Sequence, residues 1–120
     1  DEAPLPRAVI LARAGEPISE VLRRMKRHGL DELPVVAGER VIGMIHELDL
    51  VEQMLEGQRA PSDPIDDLVS ERFRAVSLTD SIERLPEIFY SSRTALVMEG
   101  DIVRAMLTPG DLQGYLAGKA

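Results

Sequence analysis

The chain has 120 residues, 44% of them hydrophobic and 29% charged, which describes an ordinary globular protein of one compact domain. Its formal net charge of -7 argues against nucleic acid, whose phosphates need a basic face, and against anionic lipid surfaces. The absence of Cys excludes disulfides, thiolate zinc sites and Cys nucleophiles and fits a cytoplasmic location, and no apolar run approaches the ~20 residues of a membrane-spanning helix.

The opening DEAPLPRA has no basic segment followed by an apolar stretch, so no signal peptide is expected. It reads as a linker at the start of an excised domain. Ala8 to Ala12 (AVILA) suits a short strand. Gly15, Glu16 and Pro17 mark a turn and a helix start, with Pro at an early helical position. Ile18, Val21, Leu22 and Met25 follow the spacing of an amphipathic helix, which Gly29 ends. Leu33 to Ala37 and Val41 to Ile45 form a hairpin about the Gly38-Glu39 turn, with Val35 and Val41 expected in its core. Glu47 to Leu55 is a helix with Leu48, Val51 and Leu55 on one face. The connector Gln58 to Pro64 carries two prolines, and Ile65 to Val69 suits one helical turn. Arg74 to Leu78 is a strand. Asp80 opens a helix through the capping-box sequence DSIE, which Pro86 should kink. Thr94 to Met98 and Ile102 to Leu107 form a second hairpin. Pro109 to Leu116 is the last helix, with Gly118 as its stop.

The order β-α-β-β-α is therefore written twice, over 1–60 and 61–120. Ile82 lies 64 residues after Ile18, whereas Asp111 lies 62 after Asp49, so the second copy lacks two residues between its helix and its hairpin. A copy of ~50 residues is marginal alone. The expected architecture is α+β, two such units packed about a pseudo-twofold axis as one module.

LPVV followed by VIGMIHELDL resembles the CBS-domain family. The first copy carries the pattern at Leu33, Pro34, Val35, Val36, Val41, Gly43, Asp49 and Leu50. The second carries it at Leu96, Val97, Gly100, Val103, Thr108, Asp111 and Leu112. The connector MLEG, the segment PIDDLV, the shortened second copy and the ending DLQGYLAG look like the C-terminal regulatory pair of bacterial cystathionine beta-synthase-like enzymes. The resemblance implies a regulatory module attached to a pyridoxal-phosphate enzyme and not itself catalytic. It implies an adenosyl ligand, S-adenosylmethionine or AMP, with no required cofactor, and a homodimer. The alternatives are a ligand-free structural oligomerisation module and an AMP or ATP sensor of another protein.

By the same resemblance, Asp49 and Asp111 would read ribose, Thr108 would place a hydroxyl beside ribose or phosphate, and Ile10 and Val76 would flank adenine. Thr108-Pro109-Gly110-Asp111 is equally a helix start without any ligand: Thr at N-cap, Pro at N1, Asp at N3. The first copy has His46 where the family places a hydroxyl, and the second has Ala105 where the first has Gly43, at a point where the resemblance implies close backbone approach to a ligand. No phosphate loop, nucleophile elbow or HExxH is present, and the two His lie without metal-ligand spacing. No catalytic or metal-binding residue is expected.

Overall fold

The computed structural model describes residues 9–77, Phe89 and 94–119, the side chains of Leu112, Tyr115 and Lys119 excepted. These residues fall into two compact units. Ile10–Arg72 is the first. It contains β1 (Ala12–Arg13), α1 (Ile18–His28), β2 (Glu32–Ala37), β3 (Arg40–His46), α2 (Glu47–Leu55) and a 3₁₀ turn (Asp66–Leu68). The three strands form a sheet in the order β1-β2-β3. β1 runs parallel to β2, so α1 is the crossover that joins them, and β3 returns antiparallel. Ile18, Val21 and Met25 of α1, Leu50 of α2, and Val35 and Ile45 of the sheet share one buried cluster, so both helices cover the same sheet face.

The second unit holds β4 (Ala75–Ser77), β5 (Ala95–Glu99), β6 (Ile102–Leu107) and α3 (Pro109–Lys119). Its sheet repeats the first, with β4 parallel to β5 and β6 antiparallel. Val76, Ala95 and Leu107 form its core, with Phe89 and Val97 packed against it. The repeat is thus a repeat of register. The pair Ala12↔Val35 recurs as Val76↔Val97, 64 residues on for the first strand (12 to 76) and 62 for the second (35 to 97). Each hairpin is also bulged at the same place, between Val35 and Val36 and between Val97 and Met98. The two-residue shortening therefore falls between Ser77 and Thr94. The Asp80 capping box and Pro86 lie outside the described residues.

Several expectations need correction. The first strand is two residues long, and Val9, Ile10 and Leu11 lie before it, because only Ala12 and Arg13 find partners on β2. α3 runs through Gly118 to Lys119; an exposed glycine weakens a helix but does not end it. Val35 is fully buried, but Val41, near the hairpin turn, is only half-buried. The face of α2 that carries Leu48 and Leu55 points away from the core, which takes Leu50 instead, with Met54 packed against it.

The connector after α2 lies along the first unit as a strap. Pro17, the residue before α1, has no side-chain donor or acceptor to cap the helix. The first helical N–H groups donate instead to the strap: Ile18 to the Asp63 carbonyl at 2.9 Å and Ser19 to the Pro61 carbonyl at 3.0 Å. Further on, Ile65 enters the first core and its N–H bonds the Glu16 carbonyl. Asp66 accepts the Gly15 N–H at 2.6 Å. Ser70 finally pairs with Met44, each N–H donating to the other's carbonyl at 2.8 Å, on the outer edge of β3. Beside that pair stands Gly43. A methyl there would overlap the Ser70 carbonyl and approach Val69 Cγ1 to 2.7 Å, so the crossing requires glycine.

The turn into α1 is fixed by Arg24, whose guanidinium donates to both Glu16 oxygens, at 2.7 and 2.6 Å, and to the Leu11 carbonyl at 2.9 Å. This bidentate pair holds the Glu16 carboxyl below the usual carboxylate range, against a smaller opposing effect of burial.

Two predictions follow from this packing. Val35→Ala will lower stability by ~1–3 kcal/mol through lost transfer energy and a cavity, and Val41→Ala by distinctly less; urea melts check the order, and equal losses would contradict it. The depressed carboxyl of Glu16 contributes stability that is present above its ordinary, unfolded pKa and is lost as pH falls through the lower folded value. Melting temperatures of Glu16→Gln and the unmodified chain should therefore differ at neutral pH and converge in acid. A constant difference across pH would show that the ion pair is not the cause.

Candidate functional site

β6 ends at Leu107 and α3 begins at Pro109, which leaves Thr108 as the residue between them. Its side chain does what an N-cap does. Thr108 Oγ1 accepts the Asp111 N–H at 3.3 Å, and the Thr108 carbonyl lies 3.0 Å from the same nitrogen. In return Asp111 Oδ2 accepts the Thr108 N–H at 2.8 Å and its hydroxyl at 3.1 Å. This is a reciprocal capping box, with Asp at N3 in place of the usual Glu. It places a carboxylate at the electropositive end of α3, where negative charge is stabilised. A phosphate there would meet that carboxylate. Hydroxyl groups there would meet a hydrogen-bond acceptor.

The first unit builds the same corner differently. His46 stands between β3 and α2 in extended geometry and makes no capping bond from its side chain. Its Nδ1 lies 3.5 Å from Glu32 Oε1, across the β2–β3 pairing, in which Glu32 is opposite His46. Glu32 is itself buried, and Asp49 is exposed. The corner is therefore acidic: Glu32 faces the imidazole, and Glu47 and Asp49 lie in the first turn of the helix that follows. Glu32 was not among the residues expected here. Its only signal in sequence is its register opposite His46, one residue before the LPVV strand.

The structure thus brings Thr108 and Asp111 into contact. It holds His46 against Glu32, with Asp49 on the first turn of the following helix. Ile10 packs on the first core, and Val76 is buried in the second. Gly43, where close approach to a ligand was expected, is approached by the Ser70 backbone instead. Arg104 is exposed and pairs with Glu99 at 2.7 Å. Among the described residues no group of His, Asp and Glu could hold a metal ion, and no helix is long and apolar enough to cross a membrane.

Two bulged three-stranded sheets, each with a parallel first strand and a helix that opens directly from the last strand, define the class. This α+β arrangement is the fold of CBS-domain proteins. Residues 6–56, a stretch that takes in most of the first unit, match the family model of the CBS domain. The Vibrio cholerae protein AcuB superposes with a TM-score of 0.86 at 12% identity, over 98% of this chain and 90% of its own. CbpB in complex with c-di-AMP superposes at 0.79 with 14% identity, over 98% and 83%. In sequence, the chain is 23% identical to cystathionine beta-synthase of Dictyostelium discoideum over 118 residues. It is 29% identical to the Oryctolagus cuniculus enzyme over 90 residues. These matches cover 93% and 73% of this chain but only 24% and 16% of the enzymes, so the chain spans a small part of their length.

The capping box makes its own prediction. Thr108→Ala will cost ~0.5–2 kcal/mol, the usual range for loss of an N-cap. Because Thr108 and Asp111 share their bonds, the double variant should cost less than the two single variants together, by ~0.5 kcal/mol or more. Additive losses in denaturant melts would show that the box does not persist in solution.

Proposed function

We propose that this chain is a non-catalytic regulatory module that binds an adenosyl compound and controls or assembles an attached enzyme. The observation that carries the reading is the Thr108–Asp111 corner, a hydroxyl and a held carboxylate at the end of β6 in a CBS-like fold. Asp111 would accept from ribose hydroxyls. Thr108 would fix its orientation. Asp49 and His46 would serve the matching position of the first unit, and Ile10 and Val76 would contribute apolar surface beside adenine. The module would assemble as a homodimer in the cytoplasm.

S-adenosylmethionine suits this chemistry better than a polyphosphate. It carries a sulfonium cation and no phosphate, and both corners are acidic in a chain of net charge -7. AMP is the next candidate. The relatives named cystathionine beta-synthase support attachment to a pyridoxal-phosphate enzyme. CbpB with c-di-AMP supports an adenine-bearing ligand more generally.

A second reading, a structural module without ligand, is favoured by two observations. Thr108 and Asp111 already satisfy one another, and His46 faces Glu32.

Calorimetry decides between the readings. The chain should bind S-adenosylmethionine or AMP ahead of ATP when S-adenosylmethionine, AMP, ADP, ATP and c-di-AMP are titrated to millimolar concentration. Asp111→Ala should weaken binding at least about tenfold, because charge-assisted hydrogen bonds are worth ~1.5–3 kcal/mol. Silence from all five compounds would leave the structural reading standing.

A further inference from the structure

We infer that the strap, residues 58–70, is a reversible cap on the first unit. It undocks ahead of the sheet, and in undocking it leaves α1 without the hydrogen-bond partners of its first turn. The inference goes beyond the regulatory reading above and does not depend on the ligand proposed there.

Two properties set the strap apart from the rest of the unit. The first is thin burial. Between residues 58 and 70 only Ile65 is buried, with Leu68 and Val69 partly buried against the same core. The other attachments are hydrogen bonds at separated points, from Ile18 and Ser19 to the strap carbonyls, from Gly15 to Asp66 and between Ser70 and Met44. α1 and the sheet, by contrast, meet through the fully buried Ile18, Val21, Met25, Val35 and Ile45. A segment with few buried apolar side chains and isolated backbone bonds belongs to the part of a fold that opens at least cost.

The second property is an imperfect staple within the strap. Arg59 Nη1 lies 3.3 Å from Asp67 Oδ2, yet Arg59 Nε is buried with no hydrogen-bond partner among the described residues. A buried N–H without an acceptor opposes the docked state, and undocking returns it to water.

What undocking leaves behind is equally defined. The Ile18 and Ser19 N–H groups lose the Asp63 and Pro61 carbonyls, and the residue before the helix, Pro17, has no side-chain group to replace them. Ile65 leaves the core. The sheet keeps the whole of its β1-β2-β3 pairing, because the strap adds only the Met44–Ser70 pair at its outer edge. Uncapping is therefore confined to one end of α1. The position suits regulation, since Phe73, where the second unit begins, follows a few residues after Ser70. A ligand or partner that holds the start of the second unit differently in the two states shifts the balance between capped and uncapped α1.

Amide hydrogen exchange on the full 120-residue chain tests this. In the unmodified chain the Ile18, Ser19, Ile65 and Ser70 amides should exchange at least about tenfold faster than the best-protected amides of the β2–β3 hairpin. Ser70→Pro removes the N–H that the Met44 carbonyl accepts, and Val69 before it is already extended, as a residue before proline prefers. This variant should speed exchange at Ile18 and Ser19 by at least about tenfold and leave the hairpin amides unchanged. Ser70→Ala keeps the backbone bonds and should exchange like the unmodified chain. Ile18 and Ser19 amides as protected as the hairpin in the unmodified chain would overturn the inference, and that comparison needs no variant to fold. So would a Ser70→Pro chain in which Ile18 and Ser19 keep their protection, or one in which strap, helix and hairpin lose theirs together.

Discussion

One backbone crossing organises the first unit. Gly43 has no side chain, so the Ser70 backbone can lie against β3 and exchange two hydrogen bonds with Met44. With the end of the strap fixed there, its earlier residues are brought to the start of α1. That helix begins after a proline and has no side-chain cap, so the carbonyls of Pro61 and Asp63 take over the role of one. Ile65 is drawn into the core by the same path. The packing of α1 on the sheet, and with it the position of β1 beside β2, depends on a segment that looks like a plain linker.

The second unit keeps the strand frame and changes the chemistry. Its hairpin bulges where the first does, and its parallel strand pairs in the same register. Yet the glycine of β3 is Ala105 in β6, and the helix that follows is capped by its own Thr108 and Asp111, whereas the first has a His facing a buried Glu32. The duplicated scaffold therefore presents two unlike corners. One offers a carboxylate held by two donors; the other offers an imidazole in acidic surroundings.

Much of the fold was legible because its signals are local. The 3.6-residue spacing of Ile18, Val21 and Met25, the Gly38-Glu39 turn and the Thr-Pro-Gly-Asp start all act within a few residues, and each element stands where the sequence reading places it. The ends were less legible. AVILA has strand composition along its whole length, but strand length is set by the partner, and β2 offers pairing to only two residues. Gly118 reads as a stop, yet α3 continues past it. The strap was not legible at all, since its bonds are mostly backbone to backbone and leave no pattern of side chains. Its one trace, Gly43, was read as room for a ligand. At the candidate site, Asp111 and Thr108 were legible as a cap because capping is a sequence-local event. Glu32 was not, because it meets His46 only through strand register.

The strap also has a mechanical consequence. Its attachments follow one another along the chain: Ser70 to Met44, Asp66 to Gly15, Ile65 to Glu16, Asp63 to Ile18, Pro61 to Ser19. The chain passes from the first unit to the second just beyond Ser70, at Arg72. Tension applied at that junction loads the Met44 pair first and, as each attachment yields, passes to the next, like a zip opened from one end. The last bonds reached are the ones that cap α1. Tension at the junction thus ends as a graded loosening at a helix terminus of the first unit, with the Asp66 carboxylate and the buried Ile65 side chain released on the way.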